Sequence, residues 1–402
     1  MKKIIVIFLL AGISLVSCTN EKASESRLNN SPAGENTSLP WLFTGPSGKV
    51  WLSWISQTDT TSTLYYSEAK TEGWSEPKAI AKSSDWFVNW ADYPMMISND
   101  SGKFAAMVLE KSGPGKFSYN IRVFTSTDGG QNWADTFLLN DDGQEAEHGF
   151  VSMIPYKGKI LFSWLDGRQT VSAEKSMDEH EGHHGSMTLR TAVTDYTGQK
   201  IAEWMVDDRT CDCCHTTLWA GVNGPVVFYR DRSEKEIRDL YVSRLENGAW
   251  TNPVAVHDDG WEIKGCPVNG PRSAGSGNHV AVAWFTASGD EPKVFTALSA
   301  DGAKTFGKPI RIDDGHPNGR VDIIENENGD FIASWLEGEE IKVRTINKSG
   351  EISSSVSIAT TSSSRPSGFP QMTEMDNGNI LFAWTDIKDK KVKTKVVDLR
   401  NR

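Results

Sequence analysis

The chain has only five cysteines among 402 residues, and one of them, Cys18, lies in the N-terminal segment. Four remaining thiols are too few to build a disulfide scaffold, so the fold must rest on an apolar core. No run of lysine and arginine reaches five residues, and 42 Lys and Arg stand against 53 Asp and Glu, a formal net charge of −11. A phosphate-backbone partner therefore has no electrostatic footprint, and nucleic acid is not expected as a ligand. Helical periodicity is nowhere sustained over ten residues, which excludes bundles and coiled coils. What the chain does have is 15 tryptophans and 35 glycines. Aromatic residues suit pleated surfaces and glycine suits tight turns, so many short strands are expected.

The N-terminus reads as an address. Lys2 and Lys3 precede an apolar stretch from Ile4 to Ile13 that is too short to span a bilayer with its flanks, and Leu15-Val16-Ser17-Cys18 follows at once. This resembles a bacterial lipoprotein signal with its lipobox; an ordinary secretory peptide cleaved nearby is the alternative. The resemblance implies removal of residues 1–17 and lipidation of Cys18, hence a chain anchored in the bacterial cell envelope, at the outer membrane or facing the periplasm. Residues 18–38 are nearly devoid of apolar side chains and are expected to form a flexible tether.

From residue 39 to the end, one pattern recurs seven times: a Gly or Asn, one residue, then an alternating apolar strand. The instances are Gly48 to Trp54, Gly102 to Val108, Gly158 to Trp164, Gly224 to Arg230, Asn278 to Trp284, Gly329 to Trp335 and Gly378 to Trp384. Spacings of 54, 56, 66, 54, 51 and 49 residues suit one four-stranded antiparallel blade per repeat. The fold class is therefore all-β, a seven-bladed β-propeller over residues 39–402, expected to be a monomer. Six blades with an extra sheet is the alternative.

Two turns share a Ser-x-Asp-x-Gly-x-x-aromatic form: Ser126, Asp128, Gly130 and Trp133 in the first, Ser299, Asp301 and Phe306 in the second, where Ala303 replaces the glycine. They resemble Asp boxes, which are structural turns, and with the repeats they resemble the sialidase superfamily of BNR-repeat propellers. That resemblance implies an arginine triad and a Tyr–Glu nucleophile. Neither is matched: no Arg-Ile-Pro occurs, Arg27 is the one arginine before Arg122, and no tyrosine follows Tyr241. The expectation is a sialidase-like fold with different chemistry, so that an enzyme here would be a glycosidase-like hydrolase or lyase with altered residues.

In a propeller the links from second to third strand, and from one blade to the next, open on one face. The unusual residues gather there. Arg209-Thr-Cys211-Asp-Cys213-Cys214-His215 enters the fourth blade, and Gly265-Cys266-Pro enters the fifth. Two disulfides, a thiolate and imidazole site for copper or zinc, and a redox dithiol all remain open readings of Cys211, Cys213, Cys214, His215 and Cys266. Residues 177–187 form an insertion containing His180, His183 and His184, either a second metal-gathering loop or a solvated one. Arg230 stands where most repeats have Trp, and a buried guanidinium there calls for a carboxylate or a bound anion. Asp231 and Asp166 are the candidates. With Arg168, Arg232 and Arg272, Arg230 could form an anion-binding rim for an acidic glycan. Arg230, Asp231, Arg168 and Asp166 are accordingly the candidate catalytic set, the alternative being a structural Arg–Asp network. The ligand expected on this face is thus a metal ion, a small molecule or a glycan.

Overall fold

A computed structural model of the chain describes residues 26–99, 101–133, 135–174 and 185–400. The expected signal peptide, Cys18, His180, His183 and His184 lie outside the described residues. Seven antiparallel sheets follow one another along the chain, spanning residues 37–83, 95–138, 148–207, 217–257, 272–311, 317–360 and 371–397. These are blades 1 to 7. The first strand of each blade packs against the first strand of the next, and that of blade 7 against that of blade 1, which closes a seven-bladed propeller around an axis.

The seven sequence repeats are the second strands of the blades. Each lies between its sheet's first and third strands and between neighbouring blades, so it is buried along nearly its whole length. A strand covered on both faces favours continuous apolar residues. The closing tryptophans are sealed in the gaps between blades, and three reach a carboxylate: Trp164 donates to Asp166 at 2.8 Å, Trp284 to Asp259 at 2.7 Å and Trp335 to Glu337 at 2.8 Å.

Blade 7 has three strands, and its outer edge is covered by the N-terminal segment. A 3-10 turn at Arg27–Asn29 buries Leu28 among Leu42, Trp54 and Val392. The Leu28 carbonyl accepts from Trp74 Nε1 at 3.0 Å and Thr394 Oγ1 at 2.6 Å, and Asn29 Oδ1 accepts from the Val396 amide at 2.8 Å. The tether expected over 18–38 is thus docked from Ser26 onward. Two apolar side chains, Leu28 and Ala33, enter this cluster from a stretch whose composition is otherwise mostly polar.

Both Ser-x-Asp turns join third to fourth strands, on the face opposite the cysteines. In each the aspartate accepts two successive amides: those of Gln131 and Asn132 reach Asp128 at 3.0 Å, and those of Lys304 and Thr305 reach Asp301 at 3.0 and 2.9 Å. Ala303 takes the positive φ of 64° that glycine holds in the first turn. Trp133 packs on Tyr66 and Phe104, and Phe306 on Phe228.

Candidate metal centre

The link from blade 3 to blade 4 turns sharply after Asp207 and is pinned by two backbone bonds: Thr210 donates to Met187 at 2.9 Å and Cys211 to Arg230 at 3.0 Å. This brings three thiols together under the surface. The sulfurs of Cys211, Cys213 and Cys214 all lie within 4.8 Å of one another, and those of Cys211 and Cys214 are 3.6 Å apart. All three residues are buried and none is in a disulfide; Cys266, also a free thiol, is exposed.

The electrostatics single out one sulfur. Burial alone would hold Cys211 protonated, but hydrogen bonds from Cys213 and Cys214 and the charges of Arg238 and Arg230 pull its pKa well below the ordinary thiol value. Donation to Cys211 conversely pushes Cys213 up, while burial first and that same bond second push up Cys214. Arg238 Nη1 stands 3.3 Å from Cys211 Sγ, and Cys214 Sγ stands 3.6 Å from the same sulfur. Arg238 is in turn fixed by Glu236 at 2.9 Å.

His215 does not join the thiols. Its ring turns to the axis, stacked on Tyr93 with centroids 4.1 Å apart and edge-on to Phe150 and Phe369. Burial, then the charge of Arg272, depresses its pKa to about 3, so it is neutral, and Nε2 has no hydrogen-bond partner. His215 leaves the turn at Asp212–Cys213 and packs with the aromatic rings at the axis instead.

The arginine rim is not assembled. Arg230 is buried and donates to three backbone carbonyls, those of Arg238 at 2.6 Å, Asn269 at 3.0 Å and Phe285 at 2.6 Å, with its plane over Trp261. The expected carboxylate or anion is replaced by main-chain oxygens, because the guanidinium points into the blade 4–blade 5 interface. Asp231 lies elsewhere, against Asp207, and burial followed by that neighbour's charge raises its pKa to about 7. Arg232 is held by Glu236 and Asp212, and Arg272 by Asp322 at 3.0 Å over the Trp41 ring. These placements fit the structural network, and they do not unite Arg230, Asp231, Arg168 and Asp166 in one cleft.

Arg168 and Asp166 belong to a second cluster, with His148 and Asp142. Arg168 grips both Asp166 oxygens at 2.7 Å and approaches Asp142 at 3.1 Å. His148 Nε2 is 2.9 Å from Asp142, and Nδ1 is 3.1 Å from the Tyr119 carbonyl. With an acceptor at each nitrogen the ring is an imidazolium. Burial opposes that charge, but the Asp142 bond and the charges of Asp166 and Asp142 prevail and raise its pKa. The three ligand-type side chains Asp142, His148 and Asp166 are thus paired with one another and with Arg168, which also stands 3.6 Å from Glu203.

Three features escaped the sequence. Arg238 follows Arg230 by eight residues on the same face, but only the fold shows which sulfur it meets. Tyr119 donates to Glu147 at 2.7 Å, and burial raises Glu147 to about 7 despite that bond; no spacing pairs two residues of different strands in advance. Two open grooves on this face, of about 550 and 730 Å³, run between blades 7, 1 and 2 and share Gln57, Asp59 and Val88.

No family model matches the chain, and no curated protein is similar to it in sequence. Among solved structures it is similar to a polysaccharide lyase, the PL25 ulvan lyase, at 10% identity and a TM-score of 0.45 over 77% of this chain and 76% of that one. A prolyl endopeptidase is similar at 14% and 0.49 over 92% of this chain, which spans 48% of that one. The Aleuria aurantia lectin is similar at 11% and 0.43, covering 78% of this chain and 97% of that one. At such identities likeness concerns the fold and says nothing of the activity.

Proposed function

We propose that the propeller is a soft-metal-binding protein in which Cys211, Cys213 and Cys214 hold one Cu(I) or Zn(II) ion as thiolates. The observation that carries this reading is three buried free sulfurs within 4.8 Å of one another. The sulfurs of Cys211 and Cys214 are 3.6 Å apart, and Zn–S bonds of about 2.3 Å imply a tetrahedral edge of about 3.8 Å. Soft thiolates select Cu(I) and Zn(II) over harder ions. Three thiolates would leave a zinc site at −1 and a copper site at −2. Arg238, 3.3 Å from Cys211 Sγ, stands beside the sulfurs to offset part of that charge.

The test is metal titration of the reduced chain with Cu(I) or Zn(II), read by mass under native conditions and by competition with a chelator. One tightly held equivalent, lost in Cys211→Ser and in Cys214→Ser, is expected. The absence of stoichiometric binding to the fully reduced protein would overturn the reading.

The proposal places this site in the bacterial cell envelope, on a chain anchored through Cys18, as the Leu15-Val16-Ser17-Cys18 motif suggests. Cys18→Ala should move the protein from the membrane to the soluble fraction; retention at the membrane would refute the anchor. A glycan ligand is a second reading, favoured by Trp90 and Val88 in the groove wall. It predicts that Trp90→Ala weakens retention on immobilised acidic polysaccharide, and unchanged retention removes it.

A further inference from the structure

Cys211 and Cys214 stand at the two ends of the turn at Asp212–Cys213. A four-residue turn holds the Cα atoms of its ends within about 7 Å, which overlaps the span of about 4.4–6.8 Å that a disulfide bridges. The two sulfurs already face each other at 3.6 Å, and both are free thiols. An S–S bond of about 2.05 Å is therefore reached by a movement of about 1.5 Å, which rotation about the two Cα–Cβ bonds supplies. Cys213 lies within 4.8 Å of both sulfurs but is the poorer partner for Cys214, because Cα atoms about 3.8 Å apart across a trans peptide fall below that span.

The chain on either side of the turn is fastened, so closure is confined to the side chains. Before it, the Thr210 and Cys211 amides donate to the carbonyls of Met187 and Arg230 at 2.9 and 3.0 Å. After it, Thr216 Oγ1 donates to the Phe150 carbonyl at 3.2 Å and stands 2.7 Å from Ser163 Oγ. Arg238 Nη1, 3.3 Å from Cys211 Sγ, favours the thiolate of that sulfur, the nucleophilic form. The cover over the pair is thin: the Asp212 side chain in the turn is 31% exposed and Cys213 8%. Local fluctuation admits a small oxidant through such a layer, whereas a protein disulfide cannot reach sulfurs that are 0% and 2% exposed.

Resting on the metal reading above, we propose that the site is gated by oxidation: hydrogen peroxide converts Cys211 and Cys214 to a disulfide, which expels the ion, and reduction of that bond restores the site. The Cys211 sulfur attacks one peroxide oxygen, the O–O bond breaks, and hydroxide leaves, so that Cys211 becomes a sulfenic acid. The Cys214 sulfur then attacks the Cys211 sulfur, the S–S bond forms, the S–O bond breaks, and a second hydroxide leaves. Each sulfur loses one electron and each peroxide oxygen gains one. The two hydroxides become water with protons from the thiols in an empty site and from solvent in a loaded one. Cys213 alone remains, and one thiolate in place of three does not retain the ion.

The experiment treats the reduced chain with hydrogen peroxide, first empty and then carrying Zn(II), which has no redox chemistry of its own. Disulfides are mapped by mass spectrometry after alkylation without reduction, and zinc is followed with a chromogenic chelator. The expected result is a bond between Cys211 and Cys214 with Cys213 alkylated, release of zinc in step with it, zinc binding weakened by about tenfold or more in the oxidised chain, and recovery on treatment with a thiol reductant. Cys213→Ser should still form the bond, and Cys211→Ser and Cys214→Ser should not. Pairing of Cys213 with any other cysteine, or oxidation that stops short of a disulfide, would overturn the gating and leave the metal reading standing. Zinc retained by the disulfide form would do the same. If reduced wild type takes up no metal, the metal reading fails and the gating with it, whether or not the disulfide forms.

Discussion

Arg238 directs its guanidinium at the sulfur of Cys211 from 3.3 Å, although the two residues are 3% and 0% exposed. A buried cation facing a thiol has a reason to be there if the thiol is ionised, since an uncompensated buried charge is strongly unfavourable. Arg238→Met keeps much of the volume and removes the charge. The expected outcome is metal affinity weakened by about 10- to 100-fold, the range for partners that orient or balance a ligand, measured by chelator competition. Unchanged affinity would show that the guanidinium serves Glu236 alone.

The His148 cluster makes stability depend on pH in a definite direction. The His148 pKa is raised in the fold, so its contribution is complete below the unfolded value near 6.5 and is lost as pH rises through the raised one. Asp142 is lowered, against its burial, by the His148 bond and charge and by Arg168; its contribution is present above 3.8 and is lost only as pH falls well below that. Thermal midpoints should therefore decline on the alkaline side, as pH rises above about 6.5 and through the raised His148 value. His148→Gln should remove that decline and cost about 3 kcal/mol at pH 6, the lower end for a broken buried pair because Arg168 still faces Asp142. An equal alkaline decline in the variant would assign it to another group.

Arg230 shows how a departure from a repeat can be structural. Five closing positions are Trp, one is Val, and here a guanidinium joins blade 4 to blade 5 through three carbonyls. Arg230→Ala should destabilise the fold by about 3–5 kcal/mol, since each buried carbonyl left unpaired costs about 1–3 kcal/mol. Arg230→Lys should recover only part of this, because an ammonium is a point donor and not a planar fork. Urea denaturation measures both. A neutral Arg230→Ala would mean that the carbonyls find other donors.

The fold was legible because its signal is one-dimensional. A second strand buried on both faces writes the same apolar stretch seven times, from Gly48–Trp54 to Gly378–Trp384, and each lies where the repeat placed it. The site was legible only as a gathering on one face. Cys211, Cys213 and Cys214 are near neighbours in sequence, so their crowding survives folding. His215 is one residue further on, yet its ring packs at the axis against Tyr93. Arg230 and Asp231 are adjacent and also face apart. Arg238 and Cys211, by contrast, meet from two separate loops, the link into blade 4 and the link between its second and third strands, and nothing in spacing anticipates the contact.

The docking of residues from Ser26 onward was hidden for a related reason: composition averages over a segment, whereas docking depends on single side chains. Leu28 is 3% exposed in a stretch otherwise made of small and polar residues. Leu28→Ala should cost about 2–3 kcal/mol, the lower part of the range for emptying a buried leucine site, because a segment this near the surface can partly collapse. A chain beginning at Leu39 should lose more than one beginning at Ser26. It forfeits the Trp74, Thr394 and Val396 bonds to residues 28 and 29 and the Thr37 bond to the Val392 amide at 3.0 Å. It also bares the outer edge of blade 7, where unpaired strand groups invite association with a second chain. Denaturation midpoints for the two chains, with light scattering to detect association, measure this. Equal midpoints and no association would restore the longer tether; a lower midpoint for the shorter chain makes residues 26–37 the clasp that closes the ring.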